Sequence, residues 1–169
     1  MDAGIDRPLA DARRRFLIPW LGTVLAVLAL AGLGFALSGG AGQHGGQLPA
    51  LAKAMTAAGL VWCGLVLVVR QKILTPMGIA SRLPAADATA VVRHLLAGYL
   101  VLWSAAVAPA IIGIAQILAG GDERMHLLLC AAALLVLAYL MPVRAKLAEQ
   151  AGAAMEILEK ALGRHERTG

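Results

Sequence analysis

The chain reads as an all-α integral membrane protein: four transmembrane helices arranged as two parallel-repeat hairpins, followed by an amphipathic cytoplasmic helix. Three observations predict that class. Of 169 residues, 60% are apolar and only 15% charged, with mean hydropathy +0.77, so polar side chains are too few to cover a water-soluble domain. Four long stretches contain no Asp or Glu at all. Finally, 13 of the 15 Lys and Arg residues fall in alternate gaps between those stretches.

Crossing the roughly 30 Å hydrocarbon core takes about 20 helical residues. Residues 1–15 form a basic N-terminal segment with Arg7, Arg13, Arg14 and Arg15. The first hairpin, 16–72, holds the spans Phe16 to Ser38 and Leu48 to Val69. A connector, 73–93, leads to the second hairpin, 94–142, with spans Leu95 to Ala119 and Met125 to Met141. The last is short, and crosses either with little tilt or with Pro142 kinking the helix rather than ending it. "RRRFL" at Arg13 to Leu17 also fits a twin-arginine export pattern, but the apolar run after it is longer than a signal core and is followed by further spans, which predicts a retained helix.

The basic clusters lie before span one, between spans two and three, and after span four, leaving only Lys53 and Arg124 on the opposite side. The positive-inside rule then places both termini in the cytoplasm and the two short hairpin loops outside, in a bacterial inner membrane. Anionic lipid headgroups account for the formal charge of +5 and pI near 9.8, and no nucleic-acid partner is implied.

The hairpins resemble one another. "GFALSGG" at Gly34 to Gly40 parallels "AQILAGG" at Ala115 to Gly121 with an offset of 81 residues, matching Gly32 to Gly113. Each hairpin returns through an Ala/Leu/Val helix with one Cys and stops at a basic cluster with a proline, Pro76 or Pro142. Two hairpins of the same sense make parallel repeats about an axis along the membrane normal.

The stretch "AAVAPAIIGIAQILAGG" followed by "LLLCAAALLVLAYLMP" is similar to small uncharacterised bacterial four-span membrane proteins, and more distantly resembles the carboxylate-bearing hairpin of the rotary ATPase c subunit family. In that family a Glu or Asp shortly before the Pro/Gly stretch carries the transported proton. Here the corresponding residues are Ala105, Ala106, Val107 and Ala108, and the hairpin loops face the other way. The resemblance therefore implies shared architecture without ion carriage.

Polar chemistry inside the spans is sparse. Lys53 sits near the outer end of span two, where its stem can snorkel to the interface. His94 and His126 begin spans on opposite sides, so only His44, in the loop "GGAGQHGGQ", could join His126 as a haem ligand. Cys63 lies about 22 Å from the outer end of its span and Cys130 about 8 Å, at the helical rise, which predicts packing cysteines and no disulfide. Ser104, Thr23 and Thr56 are lone hydroxyls that bond to their own helix backbone. No hydrolase, phosphate-loop, CxxC or HExxH motif occurs, and no carboxylate lies within a span, so neither an enzyme nor a cofactor or metal site is expected.

Helices in lipid associate through small residues that let backbones approach. Gly22 and Ala26, Ala29 and Gly32, Gly59 and Cys63, and Ala106 and Ala110 supply such faces. Pro109 in span three frees the carbonyl of Ala105, four residues back. Trp20, Tyr99, Tyr139 and Phe35 suit interfacial belts, whereas Trp62 and Trp103 lie deeper and suit helix–helix or partner contacts. In 143–169, Leu147, Ala151, Ala154, Met155, Leu158 and Leu162 share one helical face. That face needs cover from lipid, from the connector of the same chain, or from another subunit.

The function expected is a non-catalytic accessory or assembly subunit of a larger membrane complex, with the lipid bilayer, other membrane subunits or a second copy as partners. The candidate contact residues are Lys53, Trp62, Trp103, Pro109, Gln116, Leu147, Met155 and Leu158. An alternative is a transporter or channel formed by an oligomer around Pro109, Gln116 and Lys53. A further alternative is a haem-binding electron carrier using His44 and His126.

Overall fold

In a computed structural model, which describes residues 3–41, 49–83 and 87–168, the elements are six α-helices: α1 (Ala3–Ala41), α2 (Pro49–Ile73), α3 (Pro76–Ala80), α4 (Ala88–Leu118), α5 (Glu123–Tyr139) and α6 (Arg144–Thr168). Among the described residues, three helices are long and apolar enough to cross a membrane, over Arg14–Ser38, Ala50–Ile73 and Ala88–Leu118. Helix α5 is 17 residues long and equally free of charge after its first turn.

The helix boundaries follow local chemistry. Helix α2 begins on Pro49, whose missing N–H costs nothing at a helix start, and ends with Arg70 and Lys72 in the last turn, where cations suit the carbonyl end. Thr75 caps α3, its hydroxyl accepting from the Gly78 N–H at 3.2 Å, with Pro76 in the first turn. Asp122 caps α5 by accepting from the Arg124 N–H at 3.1 Å. At its other end α5 stops at Tyr139, because the ring of Pro142 disfavours helical backbone in the residue before it. Pro142 thus ends the helix rather than kinking it.

The chain divides into two compact units. One comprises Met1–Trp20, Val69–Val101 and Met141–Gly169. Its core is built on Tyr99, which is buried and packs edge-on against Phe16 with ring centroids 5.8 Å apart. Tyr99 is therefore a core residue and not the interfacial belt residue its position suggests. The Gln150 side chain donates from Nε2 to the Leu74 carbonyl at 3.1 Å and accepts the Tyr99 hydroxyl at 3.4 Å. Gly98 allows close approach here: a methyl there would fall 2.9 Å from Leu74 Cδ2. Helix α6 packs against α3; Leu147, Ala151, Ala154 and Leu158 of α6 are buried, as is Ile79 of α3. Opposite, Glu156 and Lys160 form an exposed ion pair one turn apart. The Lys160 ammonium holds the Glu156 carboxyl below its ordinary range. The support this pair gives α6 is present above the ordinary carboxylate pKa and is lost as pH falls through the lowered one.

The second unit comprises Leu21–Val68 and Leu102–Leu140. Within it His126 is fully buried. Gly34 of α1 faces the Nε2 edge of the imidazole and Gly113 of α4 faces the Nδ1 edge, so closely that a methyl at either would overlap the ring. Cys130, one turn further along α5, places Sγ 3.6 Å from Nε2. Gly59 of α2 takes up Leu129, whose Cδ2 would be 2.7 Å from an added methyl. Ala106 and Ala110 are buried as well, so two of the small-residue faces are used within the chain. Gly32, paired with Gly113 by the repeat, instead borders open space.

Candidate functional site

Gln116 occupies the last full turn of α4. The helix then ends on two glycines with different tasks. Gly120 takes φ +82°, the left-handed backbone that side chains resist, and its N–H reaches the Ile117 carbonyl at 2.9 Å. Gly121 returns its N–H to the Gln116 carbonyl at 2.9 Å, completing a Schellman cap. A methyl at Gly121 would strike the Gln116 side-chain amide, so only glycine lets that amide fold back over the turn.

The folded-back amide donates from Nε2 to the Asp122 carbonyl at 3.2 Å. Only the nitrogen can face a carbonyl, so this bond settles which end of the amide points where. Oε1 is left buried without a hydrogen-bond partner among the described residues. An unpaired buried acceptor costs about 1–3 kcal/mol.

Across from this turn stands the first part of α2. Lys53, Thr56, Ala57 and Leu60 of α2, with Gln116, Gly121, Asp122 and Met125, wall a cavity of about 600 Å³. The Thr56 hydroxyl is spent on its own helix, donating to the Ala52 carbonyl at 3.0 Å. Lys53 is exposed and Gln116 is 1% exposed, so one wall carries an exposed cation and the other a buried side-chain amide. Lys53 is the single basic side chain and Asp122 the single carboxylate among the described lining residues. Most of the remaining wall is apolar. The arrangement suits binding: one positive group, acceptors opposite, and an apolar volume between them.

Of the residues singled out from sequence, Lys53 and Gln116 are brought to one cavity. Pro109 is buried two turns earlier in α4 and does not line it. Trp62 donates from Nε1 to the Ala105 carbonyl at 2.9 Å, the very acceptor that Pro109 deprives of its helical partner. Trp103 is buried and donates to the Leu140 carbonyl at 3.2 Å, at the C-terminal end of α5. Both tryptophans thus make helix–helix contacts within the chain. Leu147 and Leu158 are buried in the unit that pairs α6 with α3, and Met155 is half-buried. Part of that face is therefore covered within the chain itself.

His44 lies outside the described residues. His126 has its two ring edges against Gly34 and Gly113, and among the described residues no group of three or more His, Cys, Asp or Glu side chains could hold a metal ion. Sequence reasoning named Gly34 and Gly121 only as ends of the repeated segments and did not place Asp122 among the candidate contact residues. A readable signal existed for the last two, since Gly-Gly-Asp after an apolar run spells a helix stop followed by an N-cap. Comparison with family models, with curated proteins and with solved structures found no match to this chain.

Proposed function

We propose that the chain is a four-span inner-membrane protein of bacterial type, with both termini and α6 cytoplasmic, serving as a non-catalytic accessory or assembly subunit. The observation that carries this reading is the bare face of α1. Gly22, Ala26, Ala29 and Gly32 are all exposed, none of the described residues comes within 4 Å of a methyl placed on either glycine, and Leu25, Leu28 and Leu33 beside them are about half exposed. Small residues at this spacing let a second helix approach closely, and the chain itself uses its other small-residue faces but not this one.

The fourth span is α5, whose 17 residues reach about 25 Å at the helical rise, enough for a thin or upright crossing. Orientation follows from the basic clusters. Asp122→Cys, in a background with Cys63→Ala and Cys130→Ala, is expected to react with a membrane-impermeant maleimide on intact spheroplasts. Asp87→Cys should react only after lysis. The reverse pattern would overturn the orientation.

For the accessory role, the chain extracted gently from its native membrane is expected to run as part of a larger assembly. Gly22→Ile with Gly32→Ile is expected to weaken that association by about tenfold or more while helicity is retained. A wild-type chain that runs alone as a monomer would end this reading.

A further inference from the structure

We infer that the cavity between the start of α2 and the α4–α5 turn binds the headgroup of an aminophospholipid: an anionic phosphate joined to a primary ammonium, carried on an apolar body. The inference stands on the second unit alone and does not depend on the accessory role.

Three features of the cavity select that chemistry. Lys53 supplies one compact cation, the ordinary partner of a phosphate oxygen. On the opposite wall the groups are acceptors: the Asp122 carboxylate, with one oxygen engaged in capping α5, and Gln116 Oε1, which is buried and has no donor among the described residues. A simple anion would meet Lys53 but would be repelled by Asp122 and would leave Gln116 unpaired. A ligand with an N–H donor a few bonds from its phosphate satisfies both walls at once. Because the Gln116 oxygen is covered by its neighbours, binding includes a small outward swing of the amide.

The third feature is the apolar remainder. Ala57, Leu60 and Met125 contribute the hydrocarbon surface that an acyl or glyceryl segment would cover. The cavity also lies where α2 and α5 begin and α4 ends, which is headgroup depth for helices that cross a bilayer. A primary ammonium donates three hydrogen bonds, whereas a trimethylated one donates none. Gln116 and Asp122 should therefore distinguish ethanolamine from choline heads.

The test titrates the purified full-length chain in detergent with dihexanoyl phosphatidylethanolamine, phosphatidylcholine and phosphatidylglycerol, and with O-phosphoethanolamine. The ethanolamine lipid is expected to bind about tenfold more tightly than either of the other lipids, the difference that loss of a charge-assisted hydrogen bond produces. Lys53→Met should weaken all three lipids. Gln116→Leu should erase the preference for ethanolamine over choline while leaving phosphatidylcholine binding unchanged. Lys53 is exposed, so its variant is expected to keep the wild-type melting temperature and helicity, and it reports on binding even if Gln116→Leu unfolds. Equal binding of the ethanolamine and choline lipids to the wild type, or ethanolamine-lipid binding that survives Lys53→Met unaltered, overturns the inference. O-phosphoethanolamine binding far more weakly than the lipid supports a membrane source. Binding as tightly as the lipid supports the same head chemistry with a soluble zwitterion as its source.

Discussion

Gly113→Ala is expected to destabilise the protein by about 1–3 kcal/mol, and the same substitution in a His126→Ala background is expected to be neutral or stabilising. The imidazole of His126 is fully buried and held at both ring edges, by Gly34 on α1 and Gly113 on α4. A methyl at Gly113 pushes the ring toward Gly34, where no space exists, so relaxation must move a helix. Gly34→Ala acts from the other side and should cost a similar amount, and the double substitution should cost less than the sum because the two share one ring. Once the imidazole is removed, only the intrinsic preference remains, and there Ala is favoured over Gly in a helix interior by up to about 1 kcal/mol. The sign change separates a specific steric clamp from general intolerance of α4 to substitution. Unfolding in mixed micelles measures it. A Gly113→Ala cost that persists undiminished without His126 would refute the clamp.

Trp62→Phe is expected to cost about 1–2 kcal/mol, at the upper end of what interhelical hydrogen bonds contribute in membranes. The physical reason lies on another helix. Pro109 has no N–H, so the Ala105 carbonyl loses its ordinary partner, and the Trp62 indole supplies the replacement at 2.9 Å. Phe keeps most of the packing and removes only the donor. In a Pro109→Ala background the helix closes its own bond to Ala105, and the cost of Trp62→Phe should fall by about 1 kcal/mol. Additive effects of the two substitutions would show that the indole and the proline act separately.

The class of fold was legible because a bilayer imposes local rules. A span must be apolar over its own length, and flanking charge acts within a few residues of it, so composition marks apolar runs at Phe16 to Ser38, Leu48 to Val69 and Leu95 to Ala119, which overlap the long apolar helices found over Arg14–Ser38, Ala50–Ile73 and Ala88–Leu118. The free carbonyl of Ala105 was legible for the same reason, being set by Pro109 four residues along. What answers it was not, because Trp62 is 43 residues away in sequence. The candidate site divides similarly. Lys53 and Gln116 stand out as rare polar residues in apolar helices, whereas their common cavity and the unpaired Gln116 oxygen depend on how a Schellman turn folds one amide back. Gly32 and Gly113 correspond in the repeat pattern, yet Gly113 faces a buried ring and Gly32 faces open space. Sequence periodicity records helix faces and says nothing of what stands opposite them.

By itself, then, the sequence determined that this is an all-helical chain with apolar segments long enough for a membrane, and which faces carry small residues. These are properties of single helices and of their solvent. Only the tertiary structure decided that His126 is clamped by Gly34 and Gly113, that Trp62 completes the backbone broken at Pro109, that Tyr99 is core, and that Lys53 and Gln116 line one cavity. Each of these joins helices through contacts a few ångströms long, and such contacts depend on the register between helices, which no local pattern encodes.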